Sequence, residues 1–371
     1  FRSGRIDVGD ALLNTSIGEQ AGDSYTTATK VTAVGYRALT ANTTGHRNTA
    51  TGTDALLSNT TGAYNSAFGQ DAMGQNTTGV NNTSCGNYSV YTNSTGSNNT
   101  GIGYKALTLT QTANDNTAVG AYALEANTVG YTNVGVGVSA LAANTTGDNN
   151  VAVGNDALGA NTTANNNTAV GRSALGANTT GAQNTAVGKN ALLQTTTGIQ
   201  NTALGFEALY TPTTVSNNTA IGYRALFSNT TANDNTAVGL KALYANTTGT
   251  RNTGIGVSAL DSNTTGSYNT AMGDHALNSN NADHNVAVGY GALNTNSTGS
   301  RNHAFGNNAL YANTTGSQGA AIGYNALRFN TTANDNTAVG NYTLDANTTG
   351  QHNVGVGNSA LGSNTTASAN T

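Results

Sequence analysis

Apolar residues recur along this chain at a spacing that fits neither an amphipathic helix nor a long alternating strand. A glycine preceded by an apolar residue returns at Gly18, Gly35, Gly52 and onward to Gly273 in steps of 17. It returns at Gly289 after a step of 16, and again in steps of 17 to Gly357. This makes 21 units with one single-residue deletion, which falls between Asn280 and Asn285. The residue before the anchor glycine is apolar in 20 units, Thr51 being the exception, and the one before it is always Ala, Gly or Ser. Three and four residues after the anchor stand Ala in 19 units and Leu in 18. Asn stands four residues before the anchor in 19 units, with Val31 and Gly319 the departures, and seven residues after it in 17. The unit reads Asn-Thr-Ala-Val-Gly-x-x-Ala-Leu-x-x-Asn-Thr-Thr-Gly-x-x.

Seventeen residues are too few for a helical pair, which takes 33 or more. Apolar positions broken by Asn and Gly instead predict two short strands per unit separated by two turns. One unit alone has a Val-type and a Leu-type side chain to bury, which does not offset an ordering entropy of roughly 1–2 kcal/mol per residue. Stacking the units as parallel strands joins these side chains into a continuous core. The predicted fold is therefore all-β, a parallel β-solenoid (β-roll or β-helix) of about 21 coils, each with two short strands. One continuous repeat domain is expected over 14–371, after an irregular segment over 1–13. At about 4.8 Å per coil the stack would reach roughly 100 Å.

The candidate core pairs the Val and Leu columns: Val34, Leu39, Phe68, Cys85, Ile102, Leu107, Val119, Leu124, Val136, Leu141, Val153, Leu158, Val170, Leu175, Val187 and Leu192. Neighbouring strand residues face opposite sides. With Val and Leu inside, the adjacent Ala columns are expected to face out and to stay small for packing against another chain.

Equivalent residues of a parallel solenoid stack in register, so a column of Asn can form an amide ladder, each side chain donating to one neighbour and accepting from the other. The more regular column predicts such a ladder through Asn48, Asn65, Asn82, Asn99, Asn116, Asn133, Asn150, Asn167, Asn184 and Asn201.

Composition narrows the classes. Charged residues are 8% of the chain, against about 25% in an ordinary globular domain. Thirteen basic and 17 acidic residues leave no basic stripe, so nucleic acid is not an expected partner. No apolar run approaches the ~20 residues that span a membrane, and no membrane insertion is expected. Cys85, the one cysteine, cannot form an internal disulfide. Asn370-Thr371 begin a further unit and no capping helix is predicted, so open strand edges are expected to favour end-to-end association.

The phrase Asn116-Thr-Ala-Val-Gly120-Ala-Tyr-Ala-Leu124 and its copies resemble the head repeats of trimeric autotransporter adhesins. They are similar also to repeats of bacterial and phage tail-fibre-like proteins. The resemblance covers the chain from about Asn14 onward and implies a parallel β-roll, often trimeric, on an extracellular stalk or fibre that sticks to surfaces. The adhesin units are shorter, and carry Ser where this chain has Asn.

Candidate sites follow from the same columns. The second Asn column spells the N-glycosylation acceptor Asn-x-Ser/Thr at Asn42, Asn59, Asn76, Asn93, Asn144, Asn161, Asn178, Asn229, Asn246, Asn263, Asn296, Asn313, Asn330, Asn347 and Asn364, one acceptor per turn if these turns are exposed. Thr three residues before the anchor recurs in 14 units, and a flat Thr array on a solenoid can match ice. Tyr36, Tyr104, Tyr223, Tyr290 and Tyr324 follow the anchor directly and offer an aromatic stripe to sugars or other chains. The phrase Thr-Ala-Asn-Asp-Asn, with Asp115, Asp234 and Asp335, has too few carboxylates for a calcium loop. The five histidines are scattered, and Cys85 falls in the apolar column rather than beside a base. No catalytic residue, metal or cofactor is therefore expected. The sequence points to an extracellular or cell- or virion-surface fibre component with an adhesive or coating role. Its expected partners are its own copies, as end-to-end filament or homotrimer, and covalent or surface carbohydrate. An ice-binding solenoid is the alternative, and a carbohydrate-active β-helix enzyme a distant one.

Overall fold

A computed structural model describes residues 5–8, by their backbone, and 12–371. The chain forms two compact units, Phe1–Asn184 and Thr185–Thr371. In the first, β1 (Arg5–Val8) runs antiparallel to β2 (Thr15–Gly18), with Arg5 opposite Gly18 and Val8 opposite Thr15. This corrects the reading of 1–13 as irregular over Arg5–Val8, where β1 supplies backbone partners along one edge of β2; residues 1–4 and 9–11 of that segment lie outside the described residues. From β2 onward the pairing in this unit is parallel, through three-residue strands running from Thr32–Val34 to Thr168–Val170. Each strand meets the next at an offset of one repeat, so Thr32 lies opposite Thr49 and Val119 opposite Val136. The second unit repeats this from Thr185–Val187 to Val354–Val356. Its one short step sets Thr270 opposite Val286, and the strand register survives because the deletion lies in the preceding turn. Each unit is thus an all-β parallel solenoid with no helix among its described residues.

Two details differ from the sequence expectation. There is one strand per coil, not two. The Ala-Leu segment turns instead, because the residues two and four after the anchor are left-handed: φ is +53° at Arg37 and at Leu39, +61° at Tyr122 and +52° at Leu124. Alternating such residues into a segment prevents an extended run. Its backbone still bonds from coil to coil, with the Leu39 N–H donating to Ala55 O (3.0 Å) and the Leu124 N–H to Ala140 O (2.9 Å).

The second difference is which columns are inside. In a three-residue strand the middle side chain points one way and its neighbours the other. The middle residue here points in: Ala33, Ala118 and Ala152 are wholly buried. Leu39, Leu107, Leu124, Leu141, Leu158, Leu175 and Leu192 are wholly buried as expected, each side chain worth about 1.5–3 kcal/mol of transfer. The other half of the expected core lies on the outer surface. Val34, Val119, Val136, Val170 and Val187 are half-buried, Cys85 and Val153 exposed, and Phe68 and Ile102 are 44% and 40% exposed. The Ala columns accordingly face in, not out, and their size has an internal cause. Where Gly135 takes the middle strand position, an added Cβ would lie 3.4 Å from Leu124 Cγ and 3.2 Å from Ala140 O. Leu from the opposite wall fills the coil, and only a small residue fits across from it.

The anchor glycine is also a packing requirement. Gly120 has φ +135°, and a Cβ there would stand 2.5 Å from Gly137 O and 2.6 Å from Gly137 C in the next coil. Backbone passes over backbone at this corner, and no side chain can intervene.

Candidate functional surfaces

The interior corners of each coil are filled by asparagine. Asn48, Asn65, Asn82, Asn99, Asn116, Asn133, Asn150, Asn167 and Asn184 of the first unit, and Asn201 of the second, are fully buried. Their bonding is not the expected amide-to-amide chain. Asn48 Oδ1 accepts the backbone N–H of Asn65 (2.9 Å), while its Nδ2 donates to Gly62 O (2.7 Å). Asn133 likewise accepts from Asn150 N (3.0 Å) and donates to Gly147 O (2.8 Å). Each side chain therefore closes a turn of the neighbouring coil, filling its donor and its acceptor at once. Some rungs add a longer amide contact, as from Asn150 Nδ2 to Asn133 Oδ1 (3.2 Å).

Side-chain amide bonds run more continuously in the second column. Asn59 Nδ2 donates to Asn42 Oδ1, Asn76 to Asn59 and Asn93 to Asn76, each at 2.7 Å. The remaining hydrogen stays at home, as from Asn59 Nδ2 to Gly62 O (2.9 Å). Gly62 O thus receives one amide from each column.

This geometry corrects the glycosylation reading. Asn42, Asn59, Asn76, Asn93, Asn144, Asn161, Asn178, Asn229, Asn246, Asn263, Asn296, Asn313 and Asn347 have no exposed surface, and Asn330 has 2%. Asn364 is partly exposed, and its Nδ2 donates to Asn347 Oδ1 (3.1 Å) and Ala367 O (3.0 Å). The nitrogen that would carry the sugar points into the coil. The motif arises because Thr follows a buried Asn, not because the turn offers an acceptor.

Outside, the strand face carries the Thr column and the apolar column side by side. Within the second unit Leu204, Met272, Phe305 and Ile322 are 41–46% exposed, and in the first Ile17, Phe68 and Ile102 are 40–44%. The only ionisable side chains in these two columns are Cys85 and His303. Charge sits in other columns. Arg37 makes a two-pronged pair with Asp54 (2.7 Å twice), which raises its guanidinium above its ordinary value, and Arg224 pairs with Glu207 (2.8 Å) to the same effect.

Aromatic rings cluster differently from the predicted stripe. Tyr36, Tyr104, Tyr223, Tyr290 and Tyr324 are exposed, but three of them pair locally, Tyr104 edge-on to Tyr122 (5.4 Å), Tyr223 stacked on Phe206 (5.5 Å) and Tyr324 edge-on to Tyr342 (5.3 Å). The longer stack is one the sequence reading passes over. Tyr210, Phe227 and Tyr244, each five residues after an anchor, stack at 5.2 and 5.3 Å, with Arg224 over Phe227 and Lys241 over Tyr244. Reading that column through three consecutive units is the signal that finds it.

The acidic phrases do not converge. Asp115 accepts from Asn98 Nδ2 (3.0 Å), Asp234 from Asn217 Nδ2 (3.1 Å), and Asp335 faces His352 (3.7 Å). Among the described residues no three His, Cys, Asp or Glu side chains are grouped to hold a metal ion, and no helix is long and apolar enough to cross a membrane. No family model matches the chain, and no curated protein matches it.

Proposed function

We propose that this protein is a structural component of an extracellular fibre or filament, with an adhesive or coating role and no catalysis. The carrying observation is the strand face. In each unit it presents in-register rows of hydroxyl and apolar side chains almost without charge, while ionisable groups lie in other columns. Continuous exposed apolar rows mark association surfaces in soluble proteins. The occupant that suits a repeating uncharged ribbon is another copy of the same ribbon. The resemblance to adhesin head repeats and tail-fibre-like repeats supports the same reading. Surface carbohydrate remains the proposed adhesive partner.

The test is assembly. Sedimentation and electron microscopy of the intact chain should show concentration-dependent association into trimers or filaments. A Val136→Lys, Val153→Lys variant, altered on the surface alone, should weaken association while keeping the β-sheet spectrum. A wild-type chain that stays monomeric at all concentrations overturns the reading.

One observation favours a second reading. The Thr column faces outward in register on parallel strands spaced about 4.8 Å apart, a regular array of hydroxyls of the kind that can match ice. Thermal hysteresis in dilute solution would establish it, and its absence would remove it.

A further inference from the structure

The coil anchored at Gly289 breaks the repeat in a second way. Two residues after the anchor it carries Gly291, where the other 20 units carry a side chain, from Gln20 to Ser359. The backbone does not require glycine there. Gly291 has φ +60°, close to the +55° of both His275 and Asn308 in the flanking coils. What the glycine removes is bulk: a Cβ would lie 2.9 Å from Asn308 Oδ1 and 3.2 Å from two ring carbons of Tyr311. The space left is a cavity of about 190 Å³ lined by His275, Asn278, Tyr290, Gly291, Asn294 and Tyr311.

The lining has a definite chemistry. Tyr290 and Tyr311 are 55% and 36% exposed. Neither is paired with another aromatic ring of the second unit. Asn278 Nδ2 donates to Ser258 O (3.2 Å) and Asn294 Nδ2 to His275 O (3.1 Å), which fixes both amides and leaves both Oδ1 atoms to accept. His275 Nδ1 is engaged by Asp274, and its ring forms part of the lining. No Lys or Arg lines the cavity, so it offers a phosphate or carboxylate no permanent positive charge. Its lining is about half polar and half apolar, which suits a ligand with both kinds of surface. Two aromatic faces beside fixed amides and an imidazole match a neutral ring with polar hydroxyls at its rim and C–H bonds on its faces.

We propose that this cavity is a subsite for one pyranose unit of a neutral glycan. Its volume is below the ~300 Å³ of a pocket for a larger ligand, so it takes a single sugar unit while the rest of the glycan lies along the coil surface. The proposal rests on the adhesive part of the function proposed above and gives that part a place and a ligand class.

The test is saturation-transfer NMR on the full chain with cellotetraose, maltotetraose and trigalacturonate as probes. Gly291→Asn fills the cavity with the side chain the next coil carries at Asn308, in a backbone conformation that already accepts Asn. Transfer to at least one neutral tetramer is expected with wild type and should fall about tenfold or more in Gly291→Asn. An unchanged melting temperature and β-sheet spectrum confirm that the variant is folded. Tyr311→Leu, which removes a ring face, should give the same loss. Equal transfer to wild type and Gly291→Asn overturns the subsite but leaves carbohydrate adhesion standing. Transfer to trigalacturonate alone, or to no probe, overturns the subsite as well. Neither result bears on assembly, which sedimentation measures separately.

Discussion

Two corners of each coil hold the same residue in different ways. At one, asparagine grips backbone: Asn133 binds the N–H of Asn150 and the carbonyl of Gly147. At the other, asparagine grips asparagine: Asn144 donates to Asn127 Oδ1 (2.9 Å) and accepts from Asn161 Nδ2 (2.8 Å). The difference shows where the repeat breaks. At Gly319 the backbone N–H is still taken by Asn302 Oδ1 (2.8 Å), because every residue except proline has an N–H to give. At Thr110 the side-chain ladder is cut on both sides, and Asn93 Oδ1 and Thr110 Oγ1 are left buried without partners. A backbone-anchored column tolerates change in the residue that receives it. A side-chain ladder needs every member.

The largest expected effect follows from removing the gripping residue itself. Asn133→Ala orphans the fixed, buried N–H of Asn150 and opens a small cavity, so it should cost about 2–4 kcal/mol. Asn144→Ala leaves Gly147 O its bond from Asn133 and orphans a side-chain oxygen, of the kind tolerated at Asn93, so about 1–2 kcal/mol is expected. Urea unfolding gives the totals. Amide exchange at Asn150 localises them, since a stacked repeat opens in segments. Equal losses in the two variants would erase the distinction between the corners.

Repair should work as well as damage. Thr110→Asn joins Asn93 to Asn127 and satisfies the orphaned oxygen, for a gain of about 1 kcal/mol. A smaller gain, about 0.5 kcal/mol, is expected from Gly319→Asn, which offers an acceptor to Asn336 N–H. There the new Cβ would stand 3.1 Å from Asn302 Oδ1, which has to yield slightly. A melting temperature that falls in Thr110→Asn would show that the ladder is a by-product of turn packing and not a source of stability.

The period, the parallel register and the asparagine corners were legible in the sequence because stacking makes one position identical in every coil. Which side each column faces was not. Val119 and Leu124 are both apolar, and the pattern alone gives them equal claims to the core. The decision comes from the width of the coil, where Leu124 from one wall leaves room for no more than Ala or Gly on the other. The left-handed φ of Leu124 was hidden for a related reason: leucine carries no marker of positive φ as glycine does. The glycosylation motif misled because it records which residues are adjacent and says nothing about direction. The cavity at Gly291 was readable as a lone glycine in its column, but only once the neighbouring coils supplied Tyr311 and His275 around it.

The smallest expected effect contrasts these neutral amides with two carboxylates in the wall. Asp261 and Asp345 stand five residues after their anchors. Desolvation raises the carboxyl of each above its ordinary value, against the opposing pull of Lys241 on Asp261 and of Arg328 on Asp345. Asp345 Oδ1 is moreover buried without a partner. A carboxyl whose folded value is raised binds its proton more tightly when folded. Its favourable contribution is complete below the unfolded value and is lost as pH rises through the folded one. At neutral pH both groups therefore oppose folding. Asp261→Asn, Asp345→Asn should melt higher than wild type at pH 7, and the gap should close as pH falls below the ordinary aspartate range. Because the variant differs from wild type at these two groups alone, the closing gap isolates their share from every other titration. A gap that stays constant from pH 7 to pH 3 would mean that the gain comes from new amide hydrogen bonds, and that burial does not penalise these carboxylates.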